Sequence, residues 1–138
     1  MDHAQARALV SPFYEALNRP ATRDVGALVR SAAAESWRSH AGPDASKSRE
    51  EFIAQVIGFG RAIPDLGWHI EELLVDGDRI VVRSTATGTP AGELFGVPHG
   101  GRSFRITAID IHTVAEGKLV RAWHVEDWAS ALKQLSGR

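Results

Sequence analysis

The stretch that decides the fold is Phe104-Arg105-Ile106-Thr107-Ala108-Ile109-Asp110-Ile111-His112-Thr113-Val114, followed by Ala115-Glu116-Gly117-Lys118 and then Leu119-Val120-Arg121-Ala122-Trp123-His124-Val125. Side chains alternate across a strand, so Phe104, Ile106, Ala108, Asp110, His112 and Val114 share one face. Arg105, Thr107, Ile109, Ile111 and Thr113 share the other. A glycine-containing turn between two β-rich runs reads as an antiparallel hairpin.

Upstream the same period returns. Trp68 to Val75 and Arg79 to Thr87 read as two strands joined at Asp76-Gly77-Asp78, and the glycine-rich stretch from Gly88 to Gly101 links the two hairpins. Before Pro64 the period is helical. Ala6, Leu9, Val10, Phe13 and Leu17 mark a helix from about Ala4 to Asn18, either kinked at Pro12 or restarted with Ser11 as cap. Asp24 caps a second helix ending near Ala34, with Val25, Leu28, Val29 and Ala32 on one face. Ser48-Arg49-Glu50-Glu51 is a capping box for a third helix carrying Phe52, Val56, Phe59 and Ile63. Between them, Ser36 to Pro43 reads as a loop or short strand, and Trp128 to Leu135 as a closing helix. Three helices followed by a meander of long antiparallel strands define an α+β protein with helices on one side of a curved sheet.

The 138 residues suit a single domain, 1–138, with one pocket. Hydrophobic residues make up 43% and charged residues 24%, which is the balance of a soluble globular chain. With a net charge of −1 and no basic cluster, nucleic acid and anionic membranes are not expected partners. The absence of cysteine excludes disulfides, thiolate catalysis and thiolate metal sites. No stretch has the pattern of a signal peptide or a membrane span, so the expected location is cytoplasmic.

Asp110 and His124 are the leading acid/base candidates. If the turn is a three-residue loop ending at Gly117, Asp110 lies opposite Ala122 and His124 is its diagonal neighbour. If it is a two-residue Glu116-Gly117 turn, Asp110 lies opposite Trp123 and His124 goes to the other face. A carboxylate beside an imidazole would fix its tautomer and stabilise its charged form, as general acid/base work requires. The same pair also reads as a structural salt bridge or as rim residues.

The runs Arg102 to Ile111, Val114-Ala115-Glu116-Gly117-Lys118-Leu119 and Trp123-His124-Val125-Glu126-Asp127-Trp128 resemble the C-terminal half of SnoaL-like polyketide cyclases. So does Gly92-Glu93-Leu94-Phe95-Gly96-Val97-Pro98. The resemblance covers most of the chain in element order, with its distinctive motifs between Asp76 and Leu135. It implies the cone-shaped fold of nuclear transport factor 2, a fold shared by dehydratases, isomerases and epoxide hydrolases. In the founding cyclases an aspartate on the last strand is the acid/base of an intramolecular aldol closure of an anthracycline precursor, with a histidine on the preceding strand nearby. Aligned through the glycine-lysine turn, the aspartate position holds His124 and the histidine position holds Asp110. The two residue types have exchanged places. Some relatives also carry a histidine just after the Gly-Thr of the glycine-rich loop, where this chain has Gly88-Thr89-Pro90.

Trp37 and Trp123 are candidate walls for a flat substrate, or core packing, and His40 is a loop histidine within possible reach of the cone's mouth. Packing is the preferred reading of Trp68 and Trp128. His112 joins the substrate-binding candidates; with Asp110 and His124 it also offers a two-histidine, one-carboxylate metal set, although the resembling family works without metal. Asp127 reads as a helix cap. The leading functional expectation is a cofactor-independent lyase or isomerase acting on a small hydrophobic or polycyclic carbonyl compound, with His124 as base and Asp110 orienting it. Cofactor-free hydroxylation, dehydration or epoxide opening is the second. A non-catalytic ligand-binding or dimerisation module is the third, and a homodimer through the outer sheet face fits any of them.

Overall fold

The computed structural model describes residues 1–98 and 100–137. Asp2 caps the first helix, α1 (His3–Leu17), in a reciprocal capping box with Gln5. The helix runs through Pro12 without restarting at Ser11, whose hydroxyl donates to the Arg7 carbonyl at 2.7 Å. Asp24 accepts from the Ala27 amide and starts α2 (Val25–Ala32). The chain then enters two strands, β1 (Ala33–Gly42) and β2 (Ala45–Ser48). Ser48 and Glu51 form the expected capping box of α3 (Arg49–Ala62). Four long strands follow as two hairpins, β3 (Gly67–Asp76) with β4 (Arg79–Gly88) and β5 (Phe104–Ala115) with β6 (Lys118–Glu126). Asp127 caps the closing helix α4 (Trp128–Leu135), accepting from the Ser130 amide.

The six strands form one curved sheet in the order β2-β1-β6-β5-β4-β3, with helices over its concave side. The expectation of an antiparallel sheet holds for every neighbouring pair except one. β1 runs parallel to β6, which parallel pairing permits because α3 and the whole β3–β5 meander intervene between them. The Ser36–Pro43 segment, expected as a loop or short strand, belongs to this ten-residue strand up to Gly42. The sheet is open, with β2 and β3 at its edges.

Between helices and sheet lies one apolar core. Phe13 of α1 stacks on Phe52 of α3 at 5.1 Å between ring centroids, and Trp37 of β1 tilts against both rings. Val10, Tyr14 and Leu17 extend this face of α1, while Ile80, Val82, Phe104, Ile106 and Ala122 face it from the sheet. Burying a side chain of this size contributes about 1.5–3 kcal/mol each, so this cluster carries most of the fold's stabilisation.

The β5–β6 hairpin corrects both registers expected from the sequence. Ala115 pairs with Lys118 across a two-residue turn, and both Glu116 (φ 51°) and Gly117 (φ 75°) lie in the left-handed region. Such a turn alone would put Asp110 opposite Trp123. The register then slips by one: Val114 pairs with Leu119, but Thr113 pairs with Arg121, so Val120 is an unpaired bulge residue on β6. Beyond the bulge His112 faces Ala122, and Asp110 is directly opposite His124 on the same face.

The left-handed conformation of Glu116 costs about 1 kcal/mol that asparagine largely avoids. Glu116→Asn is therefore expected to raise the urea midpoint by an amount corresponding to about 0.5–1 kcal/mol, with an unchanged m-value. An equal or lower midpoint would show that the turn is not strained.

Candidate active site

The inner face of β5 and β6 carries Ala108, Asp110 and His112 beside Ala122, His124 and Glu126. Next to them β1 turns Trp37 and Ser39 inward, and β4 contributes Val82 and Ser84. All of these follow from strand alternation once the Val120 bulge is included.

Asp110 is 6% exposed and sits among apolar neighbours. Its Oδ2 accepts a 2.6 Å hydrogen bond from the Tyr14 hydroxyl of α1. The same hydroxyl lies 2.7 Å from Nε2 of His112, which is fully buried. His124 is half-buried and has its Nδ1 2.8 Å from Ser39 Oγ. Among the described residues Asp110 has Tyr14, and not His124, as its hydrogen-bond partner. The expected orientation of the imidazole by the carboxylate is thus supplied by Ser39 of β1 instead.

The electrostatics run in one direction. Burial pushes the Asp110 carboxyl up to about 7, Tyr14's hydrogen bond pulls it partly back, and Glu126 pushes it further up. Burial, helped by His124, pushes His112 down to about 3. His124 is also pushed down by burial, with Glu126 opposing and Lys47 assisting. Tyr14 is raised well above the usual phenol range by burial and by Asp110. Below about pH 7 the site therefore favours the protonated Asp110 carboxyl, and burial favours the neutral His124 imidazole, against the ion pair expected from the sequence.

His124 and Glu126 line a cavity of about 270 Å³ together with the aromatic Phe59, Phe95 and Trp128 and the polar Lys47 and Gln55. Phe59 and Trp128 are stacked at 5.3 Å, and the exposed Phe95 ring meets Trp128 edge-on. The Trp128 indole donates to Glu126 at 2.6 Å. A larger depression of about 690 Å³ lies at the far end of the molecule, beside the two hairpin turns and the start of α1. Its ionisable lining side chains, Asp78 and Glu116, are exposed turn residues, so it lacks the chemistry of the smaller cavity.

Of the six residues singled out in the sequence, the fold brings Asp110, His112 and His124 together and buries Trp37 in the core behind them. His40 and Trp123 stand apart. They face each other across the β1–β6 pair and stack at 4.5 Å on the outer face, because the bulge that turns His124 inward turns Trp123 outward. The three possible metal ligands do not converge: His112 Nε2 is turned to Tyr14 and His124 Nδ1 to Ser39. Among the described residues there is no group of three or more His, Asp or Glu side chains arranged to hold a metal ion.

The sequence reading missed Tyr14, Ser39, Glu126, Lys47 and Gln55. Tyr14, the chain's only tyrosine, follows Val10 by four residues on the buried stripe of α1, a signal that was available. Ser39 follows Trp37 by strand alternation only once β1 is known to be a strand.

A curved α+β sheet with this helical cover is the architecture of the nuclear transport factor 2-like class. The sequence matches the SnoaL-like polyketide cyclase family over residues 8–135, and the chain belongs to that family. No curated protein matches it in sequence. Among solved structures it is similar to TsrD from Streptomyces laurentii, at 25% identity and a TM-score of 0.85, over 100% of this chain and 99% of that one. It is also similar to IdmH from Streptomyces antibioticus, described as a proposed polyketide cyclase, at 27% identity and a TM-score of 0.82, over 96% and 99% of the two chains. AclR from Streptomyces galilaeus, described as a proposed hydroxylase, shares the fold at 23% identity and a TM-score of 0.82, over 99% of each chain. No helix among the described residues is long and apolar enough to cross a membrane.

The two buried groups leave opposite marks on stability. Between pH 3.8 and about 7 the unfolded chain has lost the Asp110 proton that the folded chain keeps, so this group's contribution falls as pH rises. Between about 3 and 6.5 the unfolded chain binds the His112 proton that the folded chain refuses, so that contribution rises with pH. Asp110→Asn removes the first and keeps the second. Its stability relative to the native protein is expected to improve from pH 4 to pH 7.5 by up to about 4 kcal/mol, read from urea unfolding at each pH. A constant difference would contradict the buried, neutral state of Asp110.

Proposed function

We propose that the protein is a cofactor-independent acid/base enzyme that closes a ring in, or isomerises, a polyketide-like carbonyl compound by aldol-type chemistry. The observation that carries this reading is that Asp110 lies directly opposite His124 on the inner face of the sheet, and that His124 lines a cavity with an aromatic wall. With Nδ1–H donating to Ser39, His124 has its Nε2 lone pair free to remove a proton alpha to a carbonyl. The enolate carbon then attacks a second carbonyl of the same molecule. As that carbonyl's π bond gives way to the new carbon–carbon bond, its oxygen takes the Asp110 proton. Return of the imidazolium proton to the carboxylate resets the pair, and the product is an isomer of the substrate. Phe59, Phe95 and Trp128 suit flat rings, and Lys47 suits an enolate or phenolate oxygen at the cavity's edge.

The exchange of residue types relative to the founding cyclases puts the imidazole where they carry their carboxylate. It therefore favours related chemistry on a differently shaped substrate, because proton transfer is demanding in geometry. His124→Ala is expected to lower kcat/KM for cyclisation of a polyketide ester with an acidic methylene by about 10²–10⁴ while the circular dichroism spectrum stays native. The native pH profile should rise as His124 sheds its proton and fall above about 7 as Asp110 ionises. Full activity in the alanine variant would sink the reading. A hydroxylated product would assign the site to the second reading, the one suggested by the resemblance to AclR.

The outer face supports a homodimer. Ile111 pairs with Trp123 and Ile109 with Val125, and all four side chains are exposed, Val125 at 69%. Val81 and Leu74 continue the same row across β4 and β3. A contiguous apolar stripe of this kind is uncommon on a monomer and self-complementary in a two-fold pair. Sedimentation equilibrium at about 10 µM is expected to give a dimer for the native chain and a folded monomer for Ile111→Lys. A native monomer would leave the stripe without this role.

A further inference from the structure

The Tyr14 hydroxyl has one proton and two partners, Asp110 Oδ2 and His112 Nε2. Two arrangements satisfy both contacts. In the first, His112 carries its proton on Nε2 and donates to the Tyr14 oxygen, so that Tyr14 donates to Asp110. His112 Nδ1, which has no partner among the described residues, is then only a buried lone pair. In the second, Tyr14 donates to His112 and Asp110 donates to Tyr14. The neutral imidazole must then carry a proton on Nδ1, leaving a fully buried N–H with nothing to receive it, the less favourable kind of orphan. The second arrangement also traps the Asp110 proton against the helix, away from any substrate.

We infer that Tyr14 is a positioning residue for the acid: with His112 donating into its oxygen from Nε2, it commits its single proton to Asp110 Oδ2 and leaves Oδ1 as the oxygen that exchanges a proton with substrate. The inference rests on the acid role proposed for Asp110. The groups that face Asp110 are Tyr14 from α1, His112 on its own strand, and His124 and Glu126 from β6; β4 presents only the uncharged Val82 and Ser84. Lys47 of β2 acts on His124. Tyr14 is the one hydrogen-bond donor to the carboxyl among them, so its removal has a definite sign. The carboxylate loses a charge-assisted bond, and Asp110 must hold its proton to higher pH.

The order of the chain is read by nitrogen-15 NMR of the native protein, where His112 is expected to be neutral with its proton on Nε2. A proton on Nδ1 would overturn the inference. In carbon-13 titrations of the Asp carboxyls, with Asp110→Asn supplying the assignment, Tyr14→Phe is expected to move the Asp110 midpoint upward by about one unit or more. The alkaline limb of kcat/KM should move with it, and kcat, compared at each protein's own pH optimum, should fall about tenfold or more with KM within about twofold. An unmoved Asp110 midpoint in a folded Tyr14→Phe protein would equally overturn it. Both NMR measurements need no substrate. If the native protein shows the expected NMR pattern but cyclises nothing, the proposed function fails while the hydrogen-bond order stands.

Discussion

One unpaired residue, Val120, determines what β6 presents to the interior. The two-residue Glu116-Gly117 turn is what the twist of a β-hairpin favours. On its own it would have turned Trp123 inward and His124 outward. A bulge moves every residue beyond it by one position, and the period of two converts that single step into an exchange of faces. The inner face thereby receives Ala122, His124 and Glu126, while Arg121, Trp123 and Val125 go out. The facing of Asp110 and His124 and the outer apolar stripe are two consequences of the same slip.

Having brought ionisable groups inside, the fold shifts them toward their neutral forms. An isolated buried charge costs several kcal/mol, a large share of a domain's total stability, whereas a protonated carboxyl and a neutral imidazole held by a phenol cost only the desolvation their hydrogen bonds leave uncompensated. The aromatic packing of Phe13, Trp37 and Phe52 lies beside this polar chain, and the Phe13 ring meets both Tyr14 and His112 edge-on. Burial that raises Asp110 and lowers His124 is therefore the same burial that holds α1 against the sheet. Stability and the protonation states of the site have one origin.

How much of this was legible in the sequence follows from which rules are local. Capping depends on residues within one turn, so Asp24, Ser48-Glu51 and Asp127 marked their helices correctly. Alternation is local too, and it put Asp110 and His112 on one face of β5. The pairing of Asp110 with His124 depended on a bulge that no residue type announces, and both registers read from the sequence were off by a residue or two. His40 was expected to reach the cavity mouth because its segment read as a loop; as part of β1 it instead stacks on Trp123 on the outer face. Tyr14 and Ser39 come from α1 and β1, whose docking is a long-range event, so their contacts with Asp110 and His124 were invisible even though Tyr14 was visibly on a buried stripe.

The exchange of carboxylate and imidazole relative to the founding cyclases is easier to understand once the neighbours are known. Position 110 lies against α1, where a hydroxyl donor meets it and solvent does not, which suits a group that is neutral when protonated. Position 124 borders the open cavity and Ser39, which suits a group whose working form is a neutral base with one nitrogen tied back. A carboxylate at 124 beside Glu126 would place two like charges on alternate residues of one strand, whereas an imidazole there can share the field of Glu126 without repulsion. The arrangement of residue types thus follows from the environments that the two strands offer. The same geometry places the imidazole at the cavity and the carboxyl toward the core.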